Sequence, residues 1–483
     1  MRIIIWVVIV MNCLILAQNS FNSFLNEVNS MPIEKRQAKV DSFWNEAKKV
    51  GIPYTDKEFA TFLYRSTANL TIKVAGDFNG WQPSSSNFAK IEGTDLYYST
   101  YKFTETARLD YKLIVNENWI LDPNNPNYCY GGFGPNSELA MPKYVKPWEI
   151  KSYPNTKKGT TETLTIYSSY TNRTYTVRVY LPYNYNLSEE SFPTVYFNDG
   201  DEYLTLGEAK NIFDNLIDSS LTPSIIGVFV VPTNRNDEYA FALKESYTNF
   251  VVKELVPYID SKYRTIKSAN KRAIIGTSLG GNISGYISFN YPEVFGLSGW
   301  HSPAFWVNNQ EVSNLYKNND KKDIKIYTVF GTYEGSSISG IVPPLVENLK
   351  NKGYLIGSSV YDEGHSWGLW KATLDEILIF LFNDVVSNKS EIFDIKKNDI
   401  KVTVYPNPAN PDVNIKFYSN NLSNIKINII SIAGKIVKSY NIREITNGEN
   451  NITIKLDNLP SGLYILNFQL GKDKVNRKLL LLR

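Results

Sequence analysis

Apolar residues recur with two different periods along the chain, and each period predicts a different kind of element. Between residues 59 and 145 they occupy every second position in short stretches separated by turn residues, which is typical of a small β-sandwich. The stretches are Thr71–Ala75, Gly76–Trp81, Leu96–Phe103 and Leu109–Val115. We expect a helical lead-in at residues 18–58 and a linker at residues 146–160.

Residues 161–385 alternate buried-strand patterns with helical spacing, which predicts a parallel sheet covered by helices. The expected strands are Thr194–Phe197, Ile225–Val231, Arg272–Ile275, Ile324–Phe330 and Gly357–Tyr361. The expected helices are Ser246–Tyr258, Val342–Lys352 and Leu369–Phe382. The predicted fold class is therefore α/β, with this largest domain flanked by two small β-sandwiches.

Each end of the chain has a pattern of its own. A polar linker at residues 386–398 leads into strands and turn dipeptides at residues 399–483, which predicts the second sandwich. Residues 1–17 contain Arg2, an apolar run and Ala17, an order typical of a secretory signal peptide. No later stretch reaches the roughly 18 consecutive apolar residues of a membrane helix. We therefore expect a secreted or cell-surface protein without a membrane span in its mature form.

Composition excludes several classes of function. The 483 residues correspond to about three domains, and 51 Lys and Arg against 48 Asp and Glu leave a net charge of only +3, so a nucleic-acid partner has no electrostatic support. The chain has two His, His301 and His365, and two Cys, Cys13 and Cys129. A zinc site of three His or of Cys and His cannot be assembled from them. We expect neither a metal nor an organic cofactor.

The strongest chemical signal is a G-x-S-x-G pattern centred on Ser278. It follows the expected strand Arg272–Ile275 and precedes helical spacing over Asn282–Phe289. In that strand–turn–helix context the pattern predicts a nucleophile elbow, a strained turn that lifts a serine hydroxyl above the edge of the sheet. Such a serine needs a base within hydrogen-bond reach and an acid that orients the base.

His365 follows the last expected strand, and the chain order serine, acid, histidine favours it as the base. We interpret His301, only 23 residues after Ser278, as a structural or cleft residue. The acid should lie on the loop after Ile324–Phe330, where Glu334 is the only carboxylate. Asp362, close to His365 along the chain, is the main competitor.

Acyl transfer also requires two backbone N–H groups that stabilise the developing oxyanion. One should belong to Leu279, the residue after the serine. The other should come from the loop after Thr194–Phe197, where we choose Asp201 and keep Gly200 as the alternative. Asp199 is expected to brace this loop.

These segments resemble the esterase D and feruloyl esterase group of α/β-hydrolases, which is related to carbohydrate esterase family 1 and to the siderophore trilactone esterases. The resemblance lies in Arg178–Pro182, Tyr196–Gly200, Gly276–Gly281 and Gly364–Trp367 with Trp370. It implies a secreted serine carboxylesterase acting on feruloyl, acetyl or other acyl esters of a polysaccharide or small molecule. Trp300, Trp306 and Trp367 near the predicted catalytic loops form either a substrate pocket or core.

Residues 59–145 are similar to the early-set sandwich of the family-48 carbohydrate-binding modules, through Val74–Trp81, Tyr111–Asn116 and Trp119. The similarity implies sugar contacts by Trp81, Lys112, Trp119 and Asn136, whose indoles offer flat faces to pyranose rings. The alternative is a structural role, as a docking or cleft-lining domain.

Residues 399–483 resemble the sorting domain of type IX secretion, through Tyr405–Pro408, Ile432–Lys435 and Leu459–Tyr464. This implies the type IX secretion machinery as a partner. Within the enzyme class, the alternatives are a siderophore-trilactone esterase and a peptidase of the same fold. A rival from another class is a catalytically inactive surface carbohydrate-binding protein, against which the intact serine, acid and histidine series argues.

Overall fold

The computed structural model describes residues 20–382 and, in the tail, the strands between residues 402 and 481 with short connecting segments. The expected signal peptide at residues 1–17 and the linker at residues 386–398 lie outside the described residues. The chain divides into two compact units, Met1–Ile212 with Ile225–Leu381 and Phe213–Ser224 with Phe382–Arg483. Across the described residues, no helix combines the length and apolarity that a membrane crossing requires.

Two helices, α1 (Ser20–Ser30) and α2 (Ile33–Val50), form the lead-in to the first sandwich. Each helix places its apolar residues on one face, and these side chains pack with residues of the following strands. The shared cluster includes Phe21, Val28 and Trp44 from the helices and Leu63 and Leu96 from the strands. The helices are therefore part of the folded body that contains the sandwich.

The first sandwich consists of two antiparallel sheets, ordered β1-β2-β5-β4 and β3-β6-β9-β8, with β7 paired to β6. The strands are β1 (Tyr54–Asp56), β2 (Phe59–Arg65), β3 (Ile72–Gly76), β4 (Ala89–Lys90), β5 (Leu96–Lys102), β6 (Arg108–Val115), β7 (Asn118–Ile120), β8 (Tyr128–Gly131) and β9 (Gly134–Ala140). Leu109, Tyr111 and Leu113 of β6 share a core with Phe62 and Val74. The intervening residues of β6 point to the opposite face of its sheet.

The expected strand pattern at Gly76–Trp81 is wrong beyond its first residue. Strand β3 ends at Gly76, and a 3₁₀ turn follows at Asp77–Asn79. The side chain of Asn79 ends the strand, because its Oδ1 accepts the backbone N–H of Gly76 at 2.9 Å and its Nδ2 donates to the carbonyl of Val74 at 3.0 Å.

The largest part of the chain forms one eight-stranded sheet, ordered β10-β11-β13-β12-β14-β15-β16-β17. The strands are β10 (Thr160–Ser168), β11 (Arg173–Leu181), β12 (Thr194–Asn198), β13 (Ile226–Val230), β14 (Arg272–Thr277), β15 (Leu297–His301), β16 (Lys325–Gly331) and β17 (Leu355–Tyr361). Strands β12 to β17 pair in parallel, and β10 and β11 add an antiparallel edge. The predicted α/β class is confirmed.

Helices connect these parallel strands, and a last helix follows β17. They are α3 (Gly200–Thr205), α4 (Ala209–Asp218), α5 (Arg235–Tyr239), α6 (Lys244–Asn249), α7 (Val256–Lys262), α8 (Leu279–Asn290), α9 (Val307–Asn318), α10 (Ser336–Ser339), α11 (Val342–Asn351) and α12 (Trp367–Phe382). A π-helical turn, Phe250–Leu255, joins α6 to α7. Because every parallel strand ends at the same edge of the sheet, the loops that follow β12, β14, β15, β16 and β17 gather there.

The tail consists of two further antiparallel sheets, ordered β18-β19-β22 and β21-β20-β23-β24. The strands are β18 (Val402–Tyr405), β19 (Asp412–Ser419), β20 (Ile425–Ser431), β21 (Ile436–Ile442), β22 (Gly448–Lys455), β23 (Gly462–Leu470) and β24 (Asp473–Leu481). Val413, Ile427 and Phe468 are among the residues of their common core. The Ile432–Lys435 turn lies outside the described residues.

Candidate active site

Ser278 lies in the sharp turn between β14 and α8. Its backbone has φ 53° and ψ −118°, a strained conformation for a residue that is not glycine. A methyl group at Gly276 would lie 2.2 Å from the backbone of Gly280, and one at Gly280 would lie 2.8 Å from Asp199 Oδ2. Both glycines are therefore required by close approach, and the turn has the form that the sequence predicts for a nucleophile elbow.

His365 and Glu334 are in contact across two neighbouring loops. His365 Nδ1 lies 3.3 Å from Glu334 Oε1. The carboxylate side chain has no solvent exposure, whereas the imidazole side chain is 36% exposed. With Nδ1 turned toward the acid, Nε2 is the ring nitrogen that remains for a serine hydroxyl or a leaving group.

Ser302 and Trp370 support the acid from behind. Ser302 Oγ donates a hydrogen bond to Glu334 Oε1, and Trp370 Nε1 donates to Ser302 Oγ at 2.9 Å. The ring of Trp370 also packs edge-on against His365, with centroids 5.0 Å apart and an interplanar angle of 88°. Ser302 could not be predicted from the sequence, because a serine after a strand carries no distinctive signal.

The nucleophile loop is bonded to the same strand end that supports the acid. The backbone N–H of Ser278 donates to the carbonyl of His301 at 2.9 Å, and that of Ala304 donates to the carbonyl of Ser278 at 2.9 Å. Ser302 lies between these two bonds. Within residues 20–382 the structure shows no hydrogen bond between the hydroxyl of Ser278 and His365, a contact that often tightens only when substrate is bound.

The competing acid, Asp362, has other partners. Its Oδ2 accepts a hydrogen bond from Thr106 Oγ1 at 2.6 Å, and its Oδ1 accepts one from Thr332 Oγ1 at 3.3 Å. The carboxylate is therefore directed at two hydroxyl groups rather than at the imidazole of His365. The geometry favours Glu334.

His301 is a structural residue. It is fully buried at the end of β15, where Nδ1 lies 2.9 Å from Tyr203 Oη and Nε2 lies 3.2 Å from Thr373 Oγ1. Burial lowers the pKa of His301 to about 3, so the ring is neutral at physiological pH. It touches neither Glu334 nor the expected base.

The two candidate oxyanion donors lie at the amino ends of helices. Leu279 begins α8, and Asp201 lies in the first turn of α3, where backbone N–H groups have no partner within the helix. Asp199 precedes α3 in a left-handed conformation, φ 63° and ψ 49°. Its buried carboxylate accepts the hydroxyl of Thr277 at 3.2 Å, which places the two loops side by side.

The three tryptophans differ in placement. Trp300 is fully buried, donates to Ser298 Oγ at 2.7 Å and packs edge-on against neighbouring core rings. This burial corrects the expectation that Trp300 could line a substrate pocket. Trp367 is 6% exposed and packs edge-on against Trp370 at 5.1 Å. Trp306 is 39% exposed, two residues after Ala304, and is the best placed of the three for substrate.

The four candidate sugar-binding residues lie on or beside the sheet that contains β6. Trp81 Nε1 donates to Asp77 Oδ1 at 3.0 Å, and Asn136 Nδ2 donates to a carboxylate oxygen on β6 at 3.2 Å. Lys112 is half-buried on β6, and Trp119 on β7 is 48% exposed. Sugar binding by this group stays a prediction.

The described residues contain no cluster of three or more His, Cys, Asp or Glu side chains arranged to hold a metal ion.

Two parts of the chain match known protein families. Residues 168–381 match the family model described as a putative esterase. The chain contains an esterase-family domain. Residues 403–482 match the model of the secretion system C-terminal sorting domain, and this type IX sorting tail supports secretion or export to the cell surface.

Two curated relatives are similar to this chain over different lengths. The uncharacterized protein YjcH of Bacillus subtilis is 28% identical over 239 residues, which are 46% of this chain and 97% of that protein. The endo-1,4-β-xylanase/feruloyl esterase of Xylanibacter ruminicola is 27% identical over 290 residues, 56% of this chain. The match spans only 38% of that second protein.

Solved structures show the fold. The ferric enterobactin esterase of Salmonella typhimurium has a TM-score of 0.61 at 18% identity, covering 72% of this chain and 100% of that chain. An enterobactin esterase of Shigella flexneri has a TM-score of 0.58 at 20% identity, covering 67% of this chain and 92% of that chain. The α/β-hydrolase fold is thus established. Both matches cover a larger share of the chain than residues 168–381 occupy.

Proposed function

We propose that this protein is an exported serine carboxylesterase that uses Ser278, His365 and Glu334 as its catalytic triad. The observation that carries the proposal is the contact of 3.3 Å between His365 Nδ1 and the buried carboxylate of Glu334, on loops beside the Ser278 elbow. A nucleophile, a base and an acid from the ends of three strands of one parallel sheet match the roles that ester hydrolysis requires.

In the proposed reaction, Ser278 Oγ attacks the ester carbonyl while His365 Nε2 accepts the hydroxyl proton. Glu334 orients the imidazole and stabilises its cationic form. The backbone N–H groups of Leu279 and Asp201 stabilise the oxyanion. His365 then gives the proton to the leaving alcohol, and water, activated in the same way, hydrolyses the acyl-enzyme.

We further propose that the substrates are feruloyl or acetyl esters on plant polysaccharides. The support is the similarity to the Xylanibacter ruminicola protein, whose name joins a xylanase to a feruloyl esterase. The exposed ring of Trp306, two residues after Ala304, whose backbone N–H donates to the carbonyl of Ser278, suits an aromatic acyl group. Export through the expected signal peptide at residues 1–17 and the sorting tail would place the enzyme where such polysaccharides occur.

A second candidate is hydrolysis of a siderophore trilactone. The solved enterobactin esterases cover 67% to 72% of this chain, so their likeness extends beyond the esterase domain. A cyclic trilactone and a feruloylated sugar differ in both the acyl and the alcohol part. A substrate panel therefore separates the two candidates.

The test is turnover by the purified mature protein of p-nitrophenyl acetate, methyl ferulate, acetylated xylan and a catecholate trilactone, each beside Ser278→Ala. We expect the highest kcat/KM on methyl ferulate or acetylated xylan, and a loss of at least about 10³-fold in the variant. A preference for the trilactone would select the second candidate. Equal rates for wild type and Ser278→Ala on every ester would contradict the serine mechanism and favour a carbohydrate-binding protein without catalysis.

A further inference from the structure

The segment that precedes His365 is bound by the N-terminal sandwich. Arg108, the first residue of β6, donates its backbone N–H to the carbonyl of Asp362 at 3.0 Å and pairs with Glu363 in a parallel β-bridge. Thr106 Oγ1 donates to Asp362 Oδ2 at 2.6 Å. Backbone and side-chain bonds from the sandwich therefore fix the two residues just before Gly364 and the imidazole.

The guanidinium of Arg108 binds both sides of the same loop. It is fully buried; Nη1 donates to Ser366 Oγ at 3.1 Å and lies 3.6 Å from Glu363 Oε2. Nη2 donates to Asp110 Oδ1 at 2.6 Å, and Nε donates to Glu138 Oε2 at 3.0 Å. Two carboxylates of the sandwich thus hold the guanidinium, and the guanidinium contacts the residues directly before Gly364 and directly after His365.

Close packing leaves this loop no room to shift toward the sandwich. A methyl group at Gly364 would lie 2.1 Å from Asp77 Cγ, and one at Gly368 would lie 1.9 Å from Arg108 Nη1. Asp77 is itself fixed, because its Oδ2 accepts the backbone N–H of Asp110 at 2.8 Å. The residue beside the imidazole therefore rests directly on a buried carboxylate of the sandwich.

The histidine loop in turn holds the acid loop. The backbone N–H of Tyr333 donates to the carbonyl of Glu363 at 3.1 Å, and that of Thr332 donates to the carbonyl of Tyr361 at 2.8 Å. Glu334 directly follows Tyr333 along the chain. The spacing between acid and base is thus set by a segment whose outer side is fixed to Arg108.

We propose that Arg108 is a positioning residue for the hydrolytic reaction: from the N-terminal sandwich, it fixes the loop that holds His365 against Glu334. This inference rests on the proposed triad. Arg108 touches none of the reacting atoms. It acts through the peptide and side-chain groups of Glu363 and Ser366, which flank the imidazole.

The test compares Arg108→Met, Arg108→Lys and Ser366→Ala in the full mature chain. Arg272→Met is the matched control, because Arg272 is also buried, pairs with Asp260 at 2.6 Å, and lies at the opposite end of β14 from the elbow. The amplitude of the initial burst of p-nitrophenol gives the concentration of active sites. The value of kcat is then expressed per active site. A purely structural role lowers the number of sites, whereas a positioning role lowers kcat per site.

We expect kcat per site to fall at least about tenfold in Arg108→Met and about threefold in Ser366→Ala, with KM for p-nitrophenyl acetate within about twofold of wild type. Arg108→Lys should give an intermediate loss, because an ammonium keeps the charge but not the planar fork. If kcat per site in Arg108→Met and Ser366→Ala equals kcat per site in Arg272→Met, the proposal is overturned. If Arg108→Met yields no folded protein, the same comparison with Arg108→Lys and Ser366→Ala decides.

A second readout does not depend on ester turnover. The chain has only two histidines, and the buried His301 serves as an internal reference. Histidine-selective ¹³C labelling should show the ring signal of His365 sharpen and move toward the free-histidine position in Arg108→Met, with His301 unchanged. An unmoved His365 signal would overturn the inference. If wild type shows no Ser278-dependent turnover, but the His365 signal still moves in Arg108→Met, only the proposed function is contradicted.

Discussion

Arg235 binds the carboxylate of Asp199 through two hydrogen bonds, Nε to Oδ1 at 2.7 Å and Nη2 to Oδ2 at 2.8 Å. The same guanidinium donates to the carbonyl of Thr277 at 3.2 Å, directly before the proposed nucleophile. One cation therefore joins the loop that carries Asp201 to the elbow that carries Leu279. The two proposed oxyanion donors share this support.

Replacing Arg235 by Met should lower kcat about tenfold to hundredfold with a smaller change in KM, because a shift of either loop misplaces an oxyanion donor. Steady-state kinetics on p-nitrophenyl acetate measures both constants. Arg173→Met is the control, because it removes a guanidinium on β11 of the same sheet that donates to the exposed hydroxyl of Thr233. Equal kcat in the two variants would contradict a role for Arg235 in the oxyanion site.

Ser302→Ala should lower kcat about tenfold and leave KM nearly unchanged. The change removes the hydroxyl that donates to Glu334 Oε1 and leaves the indole N–H of Trp370 without its acceptor. A hydrogen bond to a charged group contributes about 1.5–3 kcal/mol, enough for this loss if the carboxylate turns away from the imidazole. Ser339→Ala removes an exposed hydroxyl bonded to a backbone carbonyl nearby and should have wild-type kinetics. Full activity in Ser302→Ala would show that Glu334 needs no such support.

His301→Gln should keep the acid limb of the kcat/KM–pH profile in its wild-type position. His301 has its pKa lowered to about 3 by burial, so it does not titrate in the neutral range where a catalytic imidazole must lose its proton. A glutamine can retain bonds to Tyr203 and Thr373, and we expect at most a moderate fall in Tm. A displaced acid limb would contradict the structural role of His301.

Glu363→Gln should make stability less dependent on pH. Burial raises the pKa of Glu363 to about 8, although Arg108 lowers it in part. Between the unfolded pKa of about 4.3 and about 8, the folded state holds a proton that the unfolded state releases. The free energy of unfolding that this proton contributes is therefore complete below about pH 4 and is lost as pH rises toward 8.

Thermal melts of wild type and Glu363→Gln from pH 5 to 8.5 measure this effect. The wild-type Tm should fall more steeply with pH than the variant's, and the difference isolates Glu363 from its neighbours. Burial and the carboxylate of Asp110 raise the pKa of Asp77 to about 7, an effect of the same sign that both proteins share. Glu347→Gln, on an exposed face of α11, is the control. Parallel curves would mean that Glu363 is ionised in the folded state.

The sequence was informative where the chemistry is local. The elbow at Ser278 follows from a strand and two glycines within nine residues, and the five strands expected in the sheet were found as β12, β13, β14, β16 and β17. The order of loops along the sheet edge then favoured His365 and Glu334. The spacing of apolar residues and the order of the loops along the chain are properties of the sequence, so both can be recognised from the sequence alone.

What the sequence did not reveal depends on contacts between distant residues. Arg108 and Ser366 are 258 positions apart, and no pattern in either segment indicates that they meet. Trp300 was a pocket candidate because it lies near the catalytic loops, yet side chains alternate along β15 and its side of the strand faces the core. At Gly76–Trp81 one asparagine side chain ended a strand that the apolar pattern would have continued.

The contacts of β6 with the loop around His365 limit how small a fragment of this chain could be transferred to another protein with the proposed triad intact. A transplant of residues 168–381 would carry the serine, the glutamate and the histidine, but it would leave behind the strand that backs the histidine. The sorting tail belongs, together with Phe213–Ser224, to a different compact unit. Arg108 and His365 both lie in the other unit, so an exchange of the tail leaves their contacts unchanged, whereas replacing the first sandwich removes the support of the proposed catalytic histidine.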